Sequence, residues 1–240
     1  MRAIYLIARR DLGAYLRTMS GYVILAGILT LNGVLFNAFA LGEGEHRSSE
    51  VLSRFFYMSS GFTMVAAILI SMRLLAEERQ TGTLALLYSS PVRDVEIVVG
   101  KFLSALVFLC LFLALTVYMP ALVWAYGKVS LGHLFAGYLG LVLLGSASLA
   151  LGTFGSSLTK SQVLAAVISG ILIVLLLICW QLASVTERPF SGPFNALALY
   201  LHFRPFELGL IHLKDVVYFL LVTYVGLFGA TRVLEARRWK

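Results

Sequence analysis

Six long apolar stretches with almost no charge decide what this chain can become. They run over residues 21–41, 55–75, 102–126, 131–158, 161–185 and 216–231. Runs on this scale match the hydrocarbon core of a bilayer, about 30 Å thick, which takes about 20 residues of helix to cross. In hydrocarbon every backbone N–H and C=O must be satisfied within the segment, so such runs become helices. Only 13% of the residues are charged, against about 25% in an average soluble domain. The expected fold class is an all-α integral membrane protein with six transmembrane helices. No stretch remains for a separate soluble unit, so residues 1–240 are expected to form a single transmembrane domain.

Six is even, so both termini lie on one side. The basic residues choose which. Only Arg47, Arg54, Lys128, Arg188, Arg204 and Lys214 fall on the far side; the other 13 of the 19 Lys and Arg fall on the side of the termini. The positive-inside rule makes that richer side cytoplasmic. The net charge of +7 then reflects base retained at the inner surface of the membrane. Outside the spans no basic run is interleaved with aromatics, which argues against nucleic acid as a partner. Cys110 and Cys179 fall inside spans, lack metal-ligand spacing and read as small buried apolar residues.

Residues 1–20 have a different periodicity. At 100° per residue, Ile4, Tyr5, Ala8, Leu12, Tyr15, Leu16 and Met19 share one arc, and Arg2, Arg9, Arg10, Arg17 and Gly13 share the neighbouring one. Leu6 and Asp11 break the pattern. This is an interfacial amphipathic helix, with its apolar side towards acyl chains and its arginines towards anionic lipid headgroups.

Near the other end, "FNALALYLHFRPFELGLI" (residues 194–211) is apolar enough to suggest a seventh span. Arg204-Pro205 near its middle argues against one. Arg at a span centre costs roughly 2.5–3.5 kcal/mol, and Pro removes a backbone donor and clashes with the preceding turn. Residues 186–213 are expected to form an extracytoplasmic or re-entrant segment of two short helices, broken at Phe203, Arg204 and Pro205. Within the spans, small residues recur four apart at Ser148, Gly152 and Ser156, at Ala166 and Gly170, and at Gly226 and Ala230. That spacing lets helix backbones approach closely, and packing within one subunit is the expected use.

No Asp, Glu, Lys, Arg or His falls in the middle of a proposed span, and His46, His133, His202 and His212 all fall at or beyond the outer surface. Ion-coupled carriers place ionisable residues or broken helices near the midplane. An intramembrane hydrolase needs a base at the depth of its nucleophile, and Ser146 and Ser148 have none. No ATP-binding loop is present: Gly100-Lys101 is followed by Phe102 and has no Gly five positions before it. Neither a catalytic residue nor a metal or cofactor site is expected on this chain, so any energy must come from a partner.

The cytoplasmic loop is the place for that partner. Residues 76–100 read "AEERQTGTLALLYSSPVRDVEIVVG". The second span continues as helix to Gln80, Gly82 stops it in a left-handed cap, and Thr83 caps a short helix over residues 84–88. Ser90 and Pro91 then start the helix that enters the third span. The result exposes Leu84, Leu86, Leu87 and Tyr88 just below the membrane. A short apolar element flanked by acids can plug a groove on another protein, or it can lie on the headgroups.

"EERQTGTLALLYSSPVRDVEIVVGKFLSAL" resembles the cytoplasmic hairpin of type-2 ABC exporter permeases. Glu77, Glu78, Gly82, Thr83, Leu84, Leu87, Ser90, Pro91, Gly100 and Lys101 carry the match. "LHFRPFELGLIHLKDVVYFLLV" followed by "TRVLEARRWK" resembles the gliding-motility-associated branch. Ala85 departs from the family pattern, standing where many relatives have Glu. The resemblance implies six helices per subunit, an N-terminal interfacial helix, a coupling helix between spans two and three, and a re-entrant helix pair before the last span. It further implies a bacterial inner-membrane location and a non-catalytic permease subunit. Its partners would be a cytosolic ABC ATPase that holds the ATP and Mg, a second permease copy or homologue, and in some relatives an accessory subunit with an extracytoplasmic domain. Glu77, Glu78, Arg79, Thr81, Gly82, Thr83, Leu84, Leu87, Tyr88 and Pro91 would then form the ATPase-coupling site. A pathway between two permeases lined by small and apolar side chains would favour a lipid-like, peptidic or polymeric cargo. The same plan admits mechanical work without cargo crossing; the alternatives are a membrane scaffold that recruits a partner without transport, or an ion-coupled carrier or intramembrane enzyme.

Overall fold

A computed structural model describes residues 2–41, 48–83, 92–126, 129–185 and 191–238. Among these the chain is helical and contains no strand. The helices are α1 (Arg2–Arg17), α2 (Met19–Leu35), α3 (Ser48–Ser71), α4 (Ala76–Gln80), α5 (Asp94–Leu115), α6 (Tyr118–Tyr126), α7 (Leu131–Leu158), α8 (Gln162–Val185), α9 (Ser191–Leu197), α10 (Leu199–Glu207) and α11 (Leu213–Arg238). A π-helical turn, Phe36–Leu41, follows α2. Six helical segments are long and apolar enough to cross a membrane: Gly21–Ala38, Ser48–Gln80, Asp94–Ala125, Leu131–Leu158, Gln162–Val185 and Leu213–Arg237. These coincide with the six apolar stretches of the sequence. Both described ends of the chain lie at one end of the bundle, which is called the terminal end below.

Helix α7 is the centre of the bundle, packed against α3, α5, α8, α10 and α11. Its small residues explain why. Gly137 sits under the Phe56 ring, Gly140 under Phe206, Gly145 under Leu109 and Gly152 under Ser71. Each missing Cβ leaves room for one side chain of a neighbour, so four close approaches are made along a single helix. On α11, Gly226 meets the backbone of Ala150 and Ala230 is fully buried. Gly170 differs: a Cβ there would meet nothing within 4 Å, so it makes no such close approach inside the subunit.

The third span is divided at Thr116 and Val117. Pro120 is the cause, since it cannot donate to the Thr116 carbonyl and its ring crowds that group. The Thr116 hydroxyl donates to the Leu113 carbonyl at 2.7 Å, and Met119 N–H takes up the Thr116 carbonyl at 3.1 Å.

The pair α9 and α10 is too short to cross a bilayer, at seven and nine residues. The break between them corrects the sequence expectation. It falls at Ala198, and Phe203, Arg204 and Pro205 lie inside α10. Pro inside a helix costs roughly 3 kcal/mol. Phe203 and Phe206 are both essentially buried, and each buried Phe stabilises by about 1.5–3 kcal/mol. Packing therefore outweighs the proline, and α10 ends soon after it at Gly209, where φ is +81°. The carbonyls released at the break also find partners. Tyr218 donates its hydroxyl to the Leu197 carbonyl at 2.7 Å, and His202 Nε2 lies 3.3 Å from the Ala196 carbonyl.

Candidate functional site at the terminal end

Helix α1 has three faces. Ile7 and Tyr15 are buried, and Gly100 of α5 lies against the Ile7 side chain and the Ile4 carbonyl. Tyr15 stacks on Phe108 with ring centroids 5.1 Å apart and donates its hydroxyl to the Ile70 carbonyl at 3.0 Å. Burial pushes the Tyr15 phenol well above its ordinary pKa, so it remains a neutral donor. Tyr5 points outwards, as do Arg9, Arg10 and Arg17 on the third face. The division is finer than the two-sided pattern of the sequence, because the chain itself takes a stripe through Ile7, Asp11 and Tyr15.

Asp11, an exception to the amphipathic pattern, is at the centre of the site. Lys101 of α5 is almost fully buried, with its side chain 3% exposed. Its Nζ lies 2.9 Å from Asp11 Oδ2 and 2.8 Å from Glu78 Oε1. Arg10 completes the group, with Nη2 2.8 Å from Glu78 Oε1 and Nε 2.8 Å from Asp11 Oδ1. Two cations and two carboxylates balance, so the buried ammonium of Lys101 is paired and hydrogen-bonded. A second Glu78 oxygen, Oε2, is buried without a partner among the described residues. Beside the network opens a cavity of about 250 Å³, lined by Asp11, Tyr15, Arg73, Glu77, Glu78 and Lys101 among others.

Glu78 is delivered to this network by a break in the second span. The sequence predicted continuous helix to Gln80. Instead α3 stops at Ser71, and α4 begins at Ala76 after a turn. A hydroxyl from α7 fills the gap: Ser156 Oγ accepts from Leu75 N–H at 3.1 Å and Ala76 N–H at 2.9 Å, and it donates to the Met72 carbonyl at 3.2 Å. The orphan donors of a new helix start are thereby satisfied. Three successive side chains of α4 then reach in different directions. Glu77 accepts from Arg73 Nε and Nη2 at 2.9 and 3.1 Å. Glu78 joins α1 and α5. Arg79 donates to the Ser157 carbonyl at the end of α7, at 2.6 Å. Arg237 of α11 donates to the neighbouring Leu158 carbonyl at 2.8 Å. Cationic donors at a helix C-terminus are favourable for both its free carbonyls and its dipole.

The end of α4 agrees with the sequence in one respect and differs in another. Gly82 has φ of +74°, the left-handed conformation expected of a helix-stopping glycine. The Thr83 hydroxyl lies 3.0 Å from the Thr81 hydroxyl and donates to the Glu78 carbonyl at 3.4 Å; the short helix expected after it lies outside the described residues. The third-span helix begins at Asp94, with the Arg93 N–H donating to Glu96 Oε2 at 3.2 Å, where the sequence placed its start at Ser90-Pro91. Leu84, Leu87, Tyr88 and Pro91, together with the rest of the expected coupling helix, lie outside the described residues. Among the coupling residues expected from the sequence, the structure brings Glu78 into the network, ties Glu77 and Arg79 to the spans, and holds Thr81, Gly82 and Thr83 in the cap. Arg10, Asp11 and Ser156 were missed. Asp11 left a trace, as an acid inside an arginine arc.

A sequence model described as "ABC-2 family transporter protein" matches residues 17–207 of the 240. The chain belongs to the ABC-2 transporter family. No curated protein matches it. ABC-2 permeases are in general non-catalytic transmembrane subunits of ABC transporters, and they generally pair with a cytosolic ATPase. The match contains α4, Lys101 and the α9–α10 pair; Arg10 and Asp11 of α1 precede it, and residues 208–240, which include α11, follow it.

At the opposite end a second polar cluster surrounds α10. His202 Nδ1 lies 2.6 Å from Asp215 Oδ1, and the His202 ring stacks on Tyr218 with centroids 4.0 Å apart. His133 Nε2 lies 2.8 Å from the Glu207 carbonyl. These contacts fasten the short helices to α7 and α11. Among the described residues no group of three or more His, Cys, Asp or Glu is arranged to hold a metal ion.

Proposed function

We propose that this ABC-2 permease is the membrane half of an ATP-driven exporter in a bacterial inner membrane, with both termini in the cytoplasm. A separate cytosolic ATPase, which holds ATP and Mg, would grip residues 81–91 and drive the permease through them. A second permease copy or homologue would complete the pathway, and an accessory extracytoplasmic subunit is compatible with the same plan. The C-terminal resemblance supports the gliding-motility-associated branch. Small and apolar residues along the spans favour a lipid-like, peptidic or polymeric cargo.

One observation carries this reading: Glu78, three residues before the Thr81–Thr83 cap, is joined within 2.8 Å to both Lys101 and Arg10. A displacement of the cap therefore moves the start of α5 and the whole of α1 together. Arg79 passes the same displacement to the end of α7. Coupling requires a different fit of this joint in the two nucleotide states of the ATPase, because contact alone shifts no equilibrium.

The test uses the permease reconstituted with its ATPase. Leu84→Asp should insert normally and lose ATPase association. Glu78→Gln should keep association and lose the dependence of ATP hydrolysis on the permease. Retained binding by the first variant and unchanged hydrolysis by the second would refute the coupling role. The scaffold alternative predicts loss of binding in the first variant without any permease-dependent hydrolysis in the wild type.

A further inference from the structure

Gly13 sits in the middle of α1 without a reason inside the chain. A Cβ there would meet nothing within 4 Å, its φ is not positive, and no neighbour packs over it. Gly within a helix costs roughly 0.5–1 kcal/mol relative to Ala. Its visible consequence is a notch. Gly13 and Ala14 form the floor of an open groove of about 490 Å³ whose walls are Arg9, Arg10, Arg17 and Leu6. Arg9, Gly13 and Arg17 stand four residues apart, so the two arginines flank the notch along one face of the helix, about 12 Å apart at their Cα atoms. Arg9 and Arg17 are exposed and hold no hydrogen bond or ion pair with any described residue. Leu6, an apolar residue within the arginine arc, is 61% exposed.

We propose that this groove is a binding site for an anionic phospholipid. The phosphate would lie over Gly13, held between the Arg9 and Arg17 guanidinium groups, whose planar donor pairs suit phosphate oxygens. Leu6 would cover the first carbons of the acyl chains. Charge selects the occupant: three arginines wall the groove, and only Arg10 among them has carboxylate partners, Asp11 and Glu78. The missing side chain at Gly13 allows a headgroup to approach the helix backbone. The site rests on the reading of α1 as an interfacial helix. It adds to the proposed function a lipid grip on the helix whose other side holds Asp11 against Lys101.

The experiment titrates the purified full-length protein in detergent with phosphatidylglycerol and, for comparison, phosphatidylcholine, reading bound lipid by native mass spectrometry. Wild type should prefer phosphatidylglycerol at least tenfold. Arg9→Gln and Arg17→Gln should each lower that affinity about fivefold, the equivalent of the ~1 kcal/mol carried by one basic side chain at an anionic surface. Arg232→Gln, an equal loss of charge at the same end, should change it less than twofold. Gly13→Leu is decisive, because it fills the notch, keeps every charge and favours the helix; it should abolish the preference. Wild-type binding by Gly13→Leu, or equal losses in Arg9→Gln and Arg232→Gln, would mean diffuse attraction and overturn the site. A bimane probe on Tyr5→Cys, on the exposed apolar arc of α1, in vesicles of brominated phosphatidylcholine, separates the two readings. Quenching without phosphatidylglycerol selectivity removes the site alone. Absence of quenching removes the interfacial helix and the site with it.

Discussion

Replacing Lys101 by Met tests the terminal network most directly. The substitution keeps most of the side-chain volume and deletes one charge. Lys101 is 3% exposed, and its carboxylate partners Asp11 and Glu78 are 13% and 15% exposed. Water cannot easily take over for the missing ammonium. A solvent-exposed pair contributes about 0–1 kcal/mol, whereas removing one partner of a buried pair costs roughly 3–5 kcal/mol, because the other charge remains. Arg10 is left to serve two acids at once. At about 2–4 °C per kcal/mol for a chain of this size, the unfolding midpoint should fall by roughly 6–20 °C. Arg10→Met removes a cation that is 55% exposed, so its effect should stay within about 4 °C. Adding Glu78→Gln to Lys101→Met should restore part of the loss, since the uncompensated acid is gone. The assay is thermal unfolding in detergent followed by tryptophan fluorescence. A Lys101→Met midpoint within 2 °C of wild type, or equal to that of Arg10→Met, would refute the reasoning.

Three further outcomes are expected. Ser156→Ala should destabilise by about 1–3 kcal/mol by stranding the Leu75 and Ala76 donors, and hydrogen exchange should quicken at those two amides. Glu207 has its carboxyl pushed above the ordinary value, chiefly by burial, with Arg204 opposing. The folded protein therefore holds that proton more tightly than the unfolded chain. The contribution is fully present below about pH 4.5 and is lost as pH rises through the raised value. Glu207→Gln should accordingly leave the midpoint at pH 4 unchanged and raise it above wild type at pH 7.5. Leu208→Cys, at an exposed site just beyond α10, should react with an impermeant maleimide from outside the cell; reaction only from the cytoplasmic side would invert the topology.

The six spans were legible because hydrocarbon imposes a length and forbids charge, and both constraints are visible in one dimension. The helix stop at Gly82 was legible for a similar reason, since few residues other than Gly reach positive φ without cost. The breaks were harder. Pro205 suggested one at Phe203–Pro205, yet the chain breaks at Ala198, where two buried phenylalanines and a tyrosine hydroxyl outweigh local preference. The turn after Ser71 has no proline or glycine to announce it. It depends on Ser156, more than 80 residues along the chain, and no local pattern carries that distance. Lys101 was visible as part of a motif, but its partners come from α1 and α4, and only the fold shows why a lysine can stand at the head of a span.

The Ser156 hydroxyl also limits how this molecule can move. It occupies the gap between α3 and α4 with three hydrogen bonds, so sliding α7 past α3 would strand two amides where solvent does not reach. The two helices must travel as one lever. Any flexing has to occur elsewhere, and the proline-bent joint between α5 and α6 is one such place in the bundle.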